Sequence, residues 1–192
     1  FNNIKIELTI LVIVFLSTII LYDLDFKLHS YVENLSIDES NFYLKEFFID
    51  ITVVGSSVWY FGFSIIGFTI LYVNKRINFI NIKKNSEIFK FFISSFFYLL
   101  VAGLVTQIIK HFFGRPRPNY TNFENGFDFN FFTFESNFHS FPSGHSSTVF
   151  MVCFILCKLM PNVKYLLFVF GFIVAFSRVV VNAHFFTDIV AG

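Results

Sequence analysis

The residues in this chain best equipped for chemistry fall into three short runs. The first is Lys110 followed by Gly114-Arg115-Pro116-Arg117-Pro118, the second is Phe141-Pro142-Ser143-Gly144-His145, and the third is Ser177-Arg178, then His184, then Asp188. Together they supply cations, two imidazoles, one carboxylate and a Ser-Gly pair at a helix start. Cations beside a helix N-terminus make an anion site, because the first-turn N–H groups have no partner inside the helix. Pro142 followed by Ser143 and Gly144 suits such a terminus, with the Ser143 hydroxyl available as cap or ligand. Arginine grips phosphate oxygens in a planar fork, and lysine acts as a point charge. His184 and Asp188 stand four apart, so one helical turn sets the carboxylate against the ring. A carboxylate on one imidazole nitrogen fixes the tautomer and leaves the other nitrogen nucleophilic. His145 then remains as a general acid for the leaving oxygen, a role worth about 10²–10⁴-fold.

The elements that must position these groups are apolar spans. Of the 192 residues 55% are hydrophobic, 22% aromatic and only 14% charged, with a mean hydropathy of +0.67. A soluble domain carries about 25% charged residues. Here the charges sit in short clusters between apolar runs of about 20 residues, the thickness of a bilayer in helix. The runs cover about residues 6–22, 51–73, 91–113, 143–159 and 165–181, and a sixth begins near Phe185. In lipid only a helix satisfies its own backbone, so β-branched and aromatic content does not argue for strands. The expectation is an all-α polytopic membrane helical bundle of six spans, the sixth truncated at the C-terminus. It forms one membrane-embedded domain over 1–192, incomplete at that end. No small-residue cleavage pattern follows the first run, so it reads as a retained span.

Charge sets the orientation. The 74–90 connection holds Lys75, Arg76, Lys83, Lys84 and Lys90 against Glu87 alone, whereas 23–50 is dominated by acids. Short basic loops stay in the cytoplasm, which puts 74–90 inside and 23–50 outside. Counting spans onward places the 114–142 connection and the 182–187 turn outside as well. All three polar runs therefore meet at one membrane face, a sorting that scattered polar residues would not produce.

These runs resemble the signature of the type-2 phosphatidic acid phosphatase superfamily, which also holds vanadium haloperoxidases and bacterial acid phosphatases. Lys, six residues, Arg-Pro is matched by Lys110 to Pro118; Pro-Ser-Gly-His by Pro142 to His145; and Ser-Arg, five residues, His, three residues, Asp by Ser177 to Asp188. All three fit without a gap and in order, and the spans fit the family's six-helix lipid-phosphatase branch. The resemblance implies that His184 attacks phosphorus to form a phosphohistidine, that Asp188 orients it, and that His145 protonates the leaving group. It implies that Lys110, Arg117, Arg178, Ser143 and Gly144 bind the phosphoryl oxygens. It implies no metal and no cofactor, and inhibition by vanadate.

Other residues read more plainly. Arg115 is expected as a headgroup or surface contact and His29 as a solvated side chain. His111 and His139 are interfacial residues or contacts near the site, and Ser177 packs near Arg178. Cys153 and Cys157, four apart in an apolar run with no further ligands, are small hydrophobes. A zinc site of His145, His184 and Asp188 would leave several cations facing a dication without a reason. The acidic and apolar 23–50 stretch suits an interfacial helix on the outer leaflet. The phenylalanines of 119–142 are either a lid dipping into that leaflet or an irregular loop.

The function expected is hydrolysis of a phosphomonoester or pyrophosphate of a lipid at the outer face, by an integral membrane protein of a bacterial inner membrane. Candidate substrates are phosphatidic acid, phosphatidylglycerol phosphate, a polyprenyl diphosphate and lipid A. The alternatives are a lipid phosphotransferase using the same site and a non-catalytic protein binding anionic lipid. A mere binder needs the cations but not a nucleophile with its orienting acid. No basic stripe points to nucleic acid.

Overall fold

The computed structural model describes residues 22–37, 42–77, 85–120 and 129–192, together with Thr9, Val12, Ile13, Leu16 and Ile20, which are helical. Regular structure among the described residues is helical throughout. The helices are α1 (Tyr22–Ile37), α2 (Phe42–Thr52), α3 (Ser57–Ile77), α4 (Asn85–Phe113), α5 (Gly144–Leu159), α6 (Lys164–Val180) and α7 (Phe186–Ala191), with short 3₁₀ turns at Val53–Gly55, Ser136–Phe138 and Pro161–Val163.

Three stretches are long and apolar enough to cross a bilayer: Ser57–Asn74, Glu87–Phe113 and Pro161–Val180; Gly144–Leu159 is a shorter apolar helix. They correspond to the second, third, fifth and fourth expected spans. The second starts later than its hydropathy suggests, because Ile51 and Thr52 close α2 and a 3₁₀ turn intervenes before Ser57. The first expected span lies outside the described residues except for the five positions named and Tyr22, where α1 begins, and the sixth is represented by the six residues of α7. With these apolar helices the chain is an integral membrane protein.

In lipid the hydrophobic effect does not draw helices together, so close packing must. α5 lies along α6, α3 along α4, and α4 against α5, while α2 packs on α6. At Gly171 of α6 a Cβ would stand 3.0 Å from Cys153 Sγ, so a glycine there lets α5 and α6 touch. Cys153 is buried with Val149 and Val174 in that seam, as a small hydrophobe should be. A second cluster joins Val32 of α1 to Ala175, Val179 and Ile189.

The acidic 23–50 stretch is two helices rather than one interfacial helix. α1 turns Asp25, His29 and Val32 inward, positions that recur at helical spacing and so share a face. His29 is therefore buried, not solvated; it pairs with Glu33 at 3.7 Å and meets the Phe185 ring edge-on. α2 leaves Phe42, Tyr43, Leu44 and Phe47 exposed, as suits a helix lying against lipid.

Candidate active site

The three polar runs converge at one end of the bundle, where main-chain bonds join them. Ser143 is the N-cap of α5; its Oγ accepts from the Ser146 N–H at 3.4 Å, and its own N–H donates to the Asp188 carbonyl at 2.9 Å. The cap uses one lone pair of the Ser143 hydroxyl and leaves its O–H free to donate, while the main-chain bond ties the second run to the third. Lys110, in the last turn of α4, reaches across this helix start. Its Nζ donates to the His139 carbonyl at 2.6 Å and, more weakly, to that of Ser140 at 3.4 Å. Its Cε lies 4.0 Å from where a Gly144 Cβ would stand, so the ammonium passes over the open N-terminal turn.

Past α4 the chain reverses at Gly114, whose φ of +55° is in the left-handed region, where only glycine is unstrained. A Cβ there would fall 1.7 Å from the Asn130 carbonyl oxygen. The reversal brings Arg117 over the site, its Nε donating to the Ser136 carbonyl at 3.1 Å. Arg178 projects from the end of α6 and donates to Thr52 Oγ1 at 3.0 Å. His145 packs on Gly55, where a Cβ would come within 2.8 Å of its ring. The 3₁₀ turn that delays the second span therefore serves the site by letting backbone approach this imidazole.

His184 is set by the turn that ends α6. The Ala183 and His184 N–H groups both donate to the Arg178 carbonyl, and Asn182 takes a φ of +58°. The ring is buried, with Nδ1 3.7 Å from Asp188 Oδ2, outside direct hydrogen-bond reach. Ser140 bridges the gap: its Oγ donates to Asp188 Oδ2 at 2.5 Å and lies 3.5 Å from Nδ1. Asp188 Oδ2 also accepts the Phe185 N–H at 2.8 Å, closing the first turn of α7. With Nδ1 turned to this carboxylate side, Nε2 is the nitrogen left for another partner.

Burial pushes the His184 imidazole down to about 4; Asp188 opposes the shift, while Lys110 and Arg178 add to it. At neutral pH the ring is uncharged, as a nucleophile must be. His145 in turn lies close enough to Arg178, Lys110 and Arg117 to feel their charges. The eight expected residues are thus brought together around one cationic recess. Beside His145 a cavity of about 220 Å³ opens between α3, α4 and α5, lined in part by Gly55, Ser57, Thr106 and Ser147.

One further reading of a single residue is overturned. Arg115 is not at the surface but 2% exposed, held between two carboxylates: Asp188 Oδ1 at 2.6 Å and Asp25 Oδ2 at 2.9 Å. Its neighbour two residues on, Arg117, has no carboxylate partner among the described residues and bonds the Ser136 carbonyl instead. Asp25 carried no signal at all, since it meets Arg115 and Thr187 from the opposite end of the chain. His139 contributes through its carbonyl, on Lys110, while its ring meets that of His111 at a tilt of 51°, with centroids 4.3 Å apart. Ser177 packs as expected, its hydroxyl donating to the Val174 carbonyl at 2.6 Å. Of the loop phenylalanines, Phe123 and Phe127 lie outside the described residues, as do Glu124 and Asp128; Phe131, Phe132 and Phe134 are exposed.

Comparison with known proteins points one way. The sequence profile of the PAP2 superfamily matches residues 91–192. A protein named Lipid A 1-phosphatase from Rhizobium johnstonii is 36% identical over 99 residues, 50% of this chain and 40% of that one. A protein of the same name from Rhizobium etli is 34% identical over 96 residues, 49% of this chain and 40% of that one. The matched stretch therefore spans well under half the length of these relatives. Among solved structures, a transmembrane PAP2 type phosphatidylglycerolphosphate phosphatase from Bacillus subtilis shares the fold. The TM-score is 0.60 at 20% identity, covering 94% of this chain and 87% of that one.

Proposed function

The chain belongs to the PAP2 superfamily, and from that premise we propose that it is a lipid phosphatase working through a phosphohistidine on His184. The observation that carries the reading is the buried, uncharged His184 beside Asp188, facing a recess with three cations and a helix N-terminus. In the reaction, His184 Nε2 attacks phosphorus while the bond from phosphorus to the leaving oxygen breaks. His145 donates its proton to that oxygen, which departs as the lipid alcohol or, from a pyrophosphate, as a lipid monophosphate. Water then attacks the phosphohistidine, giving its proton to His145, and the P–N bond breaks to release inorganic phosphate. Charge builds on the phosphoryl oxygens at both steps. Lys110, Arg117, Arg178, the Ser143 hydroxyl and the Gly144 N–H are the groups that stabilise it in this proposal.

The substrate we propose is a lipid bearing a phosphomonoester or pyrophosphate, met from the outer, periplasmic face of a bacterial inner membrane. The charge bias of the loops supports that orientation. A site at the end of the spans suits a wet phosphate on a tail that stays in lipid. The names of the two Rhizobium relatives make the 1-phosphate of lipid A the first substrate to try.

Full-length protein in detergent, without divalent metal, should release phosphate from lipid A or from one of phosphatidic acid, phosphatidylglycerol phosphate and a polyprenyl diphosphate. His184→Ala should not. Equal release by both would remove His184 from the mechanism. Label appearing on an acceptor lipid rather than as free phosphate would replace hydrolysis by transfer.

A further inference from the structure

Behind the recess lies a second polar cluster that takes no part in holding phosphate. Asp25, Arg115, Thr187 and Asp188 are all buried. Arg115 divides its guanidinium between the two carboxylates, NH1 on Asp188 Oδ1 and NH2 on Asp25 Oδ2. NH1 also donates to Thr187 Oγ1 at 2.8 Å, and the Thr187 hydroxyl donates to Asp25 Oδ2. The Thr187 N–H donates to Asp25 Oδ1 at 3.0 Å. Both oxygens of Asp25 and both of Asp188 are thereby assigned. The Arg115 guanidinium also lies 4.4 Å over the Phe185 ring, directly after His184 in the chain.

Resting on the phosphatase reading above, we propose that Asp25 and Arg115 are positioning residues that set the Asp188–His184 pair for attack. Arg115 takes Oδ1 of Asp188 and so aims Oδ2 at Ser140 and the His184 side. Asp25 fixes Arg115 and, through the Thr187 N–H and hydroxyl, the first turn of α7 on which Asp188 rides. A carboxylate with Arg115 on one oxygen stays ionised and acts on the imidazole only as an acceptor. Without Asp25, the full guanidinium charge would fall on Asp188 and weaken its pull on the His184 ring. The nucleophile is thus governed from α1, a helix that brings nothing to the phosphate itself. Outer-shell partners of metal ligands change activity by about 10–100-fold when removed, and the same scale is expected for partners of an orienting carboxylate.

The test uses full-length protein in lipid–detergent micelles with the substrate the wild type hydrolyses. Asp25→Asn keeps the shape and the bond from the Thr187 N–H but removes the charge; Asp25→Glu and Arg115→Lys keep the charges and alter the reach. The expectation for Asp25→Asn is a kcat lower by about 10–100-fold with KM within about twofold. Asp25→Glu should recover part of the loss. Vanadate, a phosphate mimic, should still raise the thermal midpoint of each variant, showing a folded recess. A wild-type kcat per vanadate-responsive molecule in Asp25→Asn and Arg115→Lys would overturn the proposal, leaving the cluster a fold clamp only. If the wild type releases no phosphate from any lipid, the phosphatase reading fails, and the proposal with it.

Discussion

Arg115 and Arg117 are two residues apart in one loop and serve opposite electrostatic ends. Arg115 is buried between Asp25 and Asp188, so its charge is spent inside the protein. Arg117 is half-buried and bonds a main-chain carbonyl; Arg178 bonds a threonine hydroxyl, and Lys110 bonds two carbonyls. Among the described residues none of these three has a carboxylate within ion-pair distance. Neutral oxygens steady the cations without cancelling them, and a recess whose three cations lack an ion-pair partner among the described residues asks for an anion. The difference shows that residue type alone does not assign a role. What counts is whether a charge is answered from within.

The largest effects should fall where the two regions meet. His184→Ala should lower phosphate release by at least about 10⁴-fold, and Asp188→Asn by about 10³–10⁴-fold, read from single-substrate kinetics. Arg178→Gln removes an uncompensated charge and should cost about 10²–10³-fold in kcat while weakening vanadate protection. Arg115→Met should behave differently. It leaves two carboxylates facing each other in a dry pocket, a loss of about 3–5 kcal/mol of stability, seen as a lower thermal midpoint with and without vanadate. If Arg178→Gln lowered stability and Arg115→Met only phosphate affinity, the division between the regions would be wrong.

Acidity offers a subtler probe. Protonated His184 cannot attack, and its pKa is held near 4 by burial. In kcat/KM, activity should therefore be lost as pH falls through about 4, by about tenfold per unit below it. The same sign applies to stability. The ring's folded-state pKa lies below the ordinary value of 6.5. The stability linked to its neutral form is thus complete above 6.5 and declines as pH falls toward 4. An acid limb near 6.5 would mean an exposed, unperturbed imidazole.

The recess was legible in the sequence because its parts are local. Lys110 to Pro118, Pro142 to His145 and Ser177 to Asp188 each hold fixed spacing, and hydropathy places their ends at one face. The sealed cluster was not legible, because its key contact joins Asp25 to Arg115 across the fold and neither end carries a spacing rule. Asp25 and His29 sit in an acidic stretch that reads as interfacial, and nothing local marks either as facing inward. Arg115 was misassigned for a related reason: beside a motif arginine, nothing local tells which of two guanidinium groups turns inward. The 3₁₀ turn at Gly55 was hidden inside an apolar run, since hydropathy does not see a kink.

The smallest expected effect lies at the hinge between the regions. Gly114 separates Lys110, fixed in α4, from Arg115 and Arg117, fixed by the loop, and its left-handed φ sets the direction in which the loop carrying both arginines leaves α4. Gly114→Ala must bear a strained backbone, worth about 1–3 kcal/mol, and move the Asn130 carbonyl away from the new methyl. The Asn130 N–H to Gly114 carbonyl bond at 2.8 Å would yield first, since that loop strand is the less buried side. Both clusters should then loosen together: a lower thermal midpoint and a kcat/KM reduced by about tenfold. Gly62→Ala, whose Cβ would meet nothing within 4 Å, should change neither. If Gly114→Ala shifted phosphate affinity while Asp25→Asn still altered kcat as in the wild-type background, the hinge would belong to the recess alone.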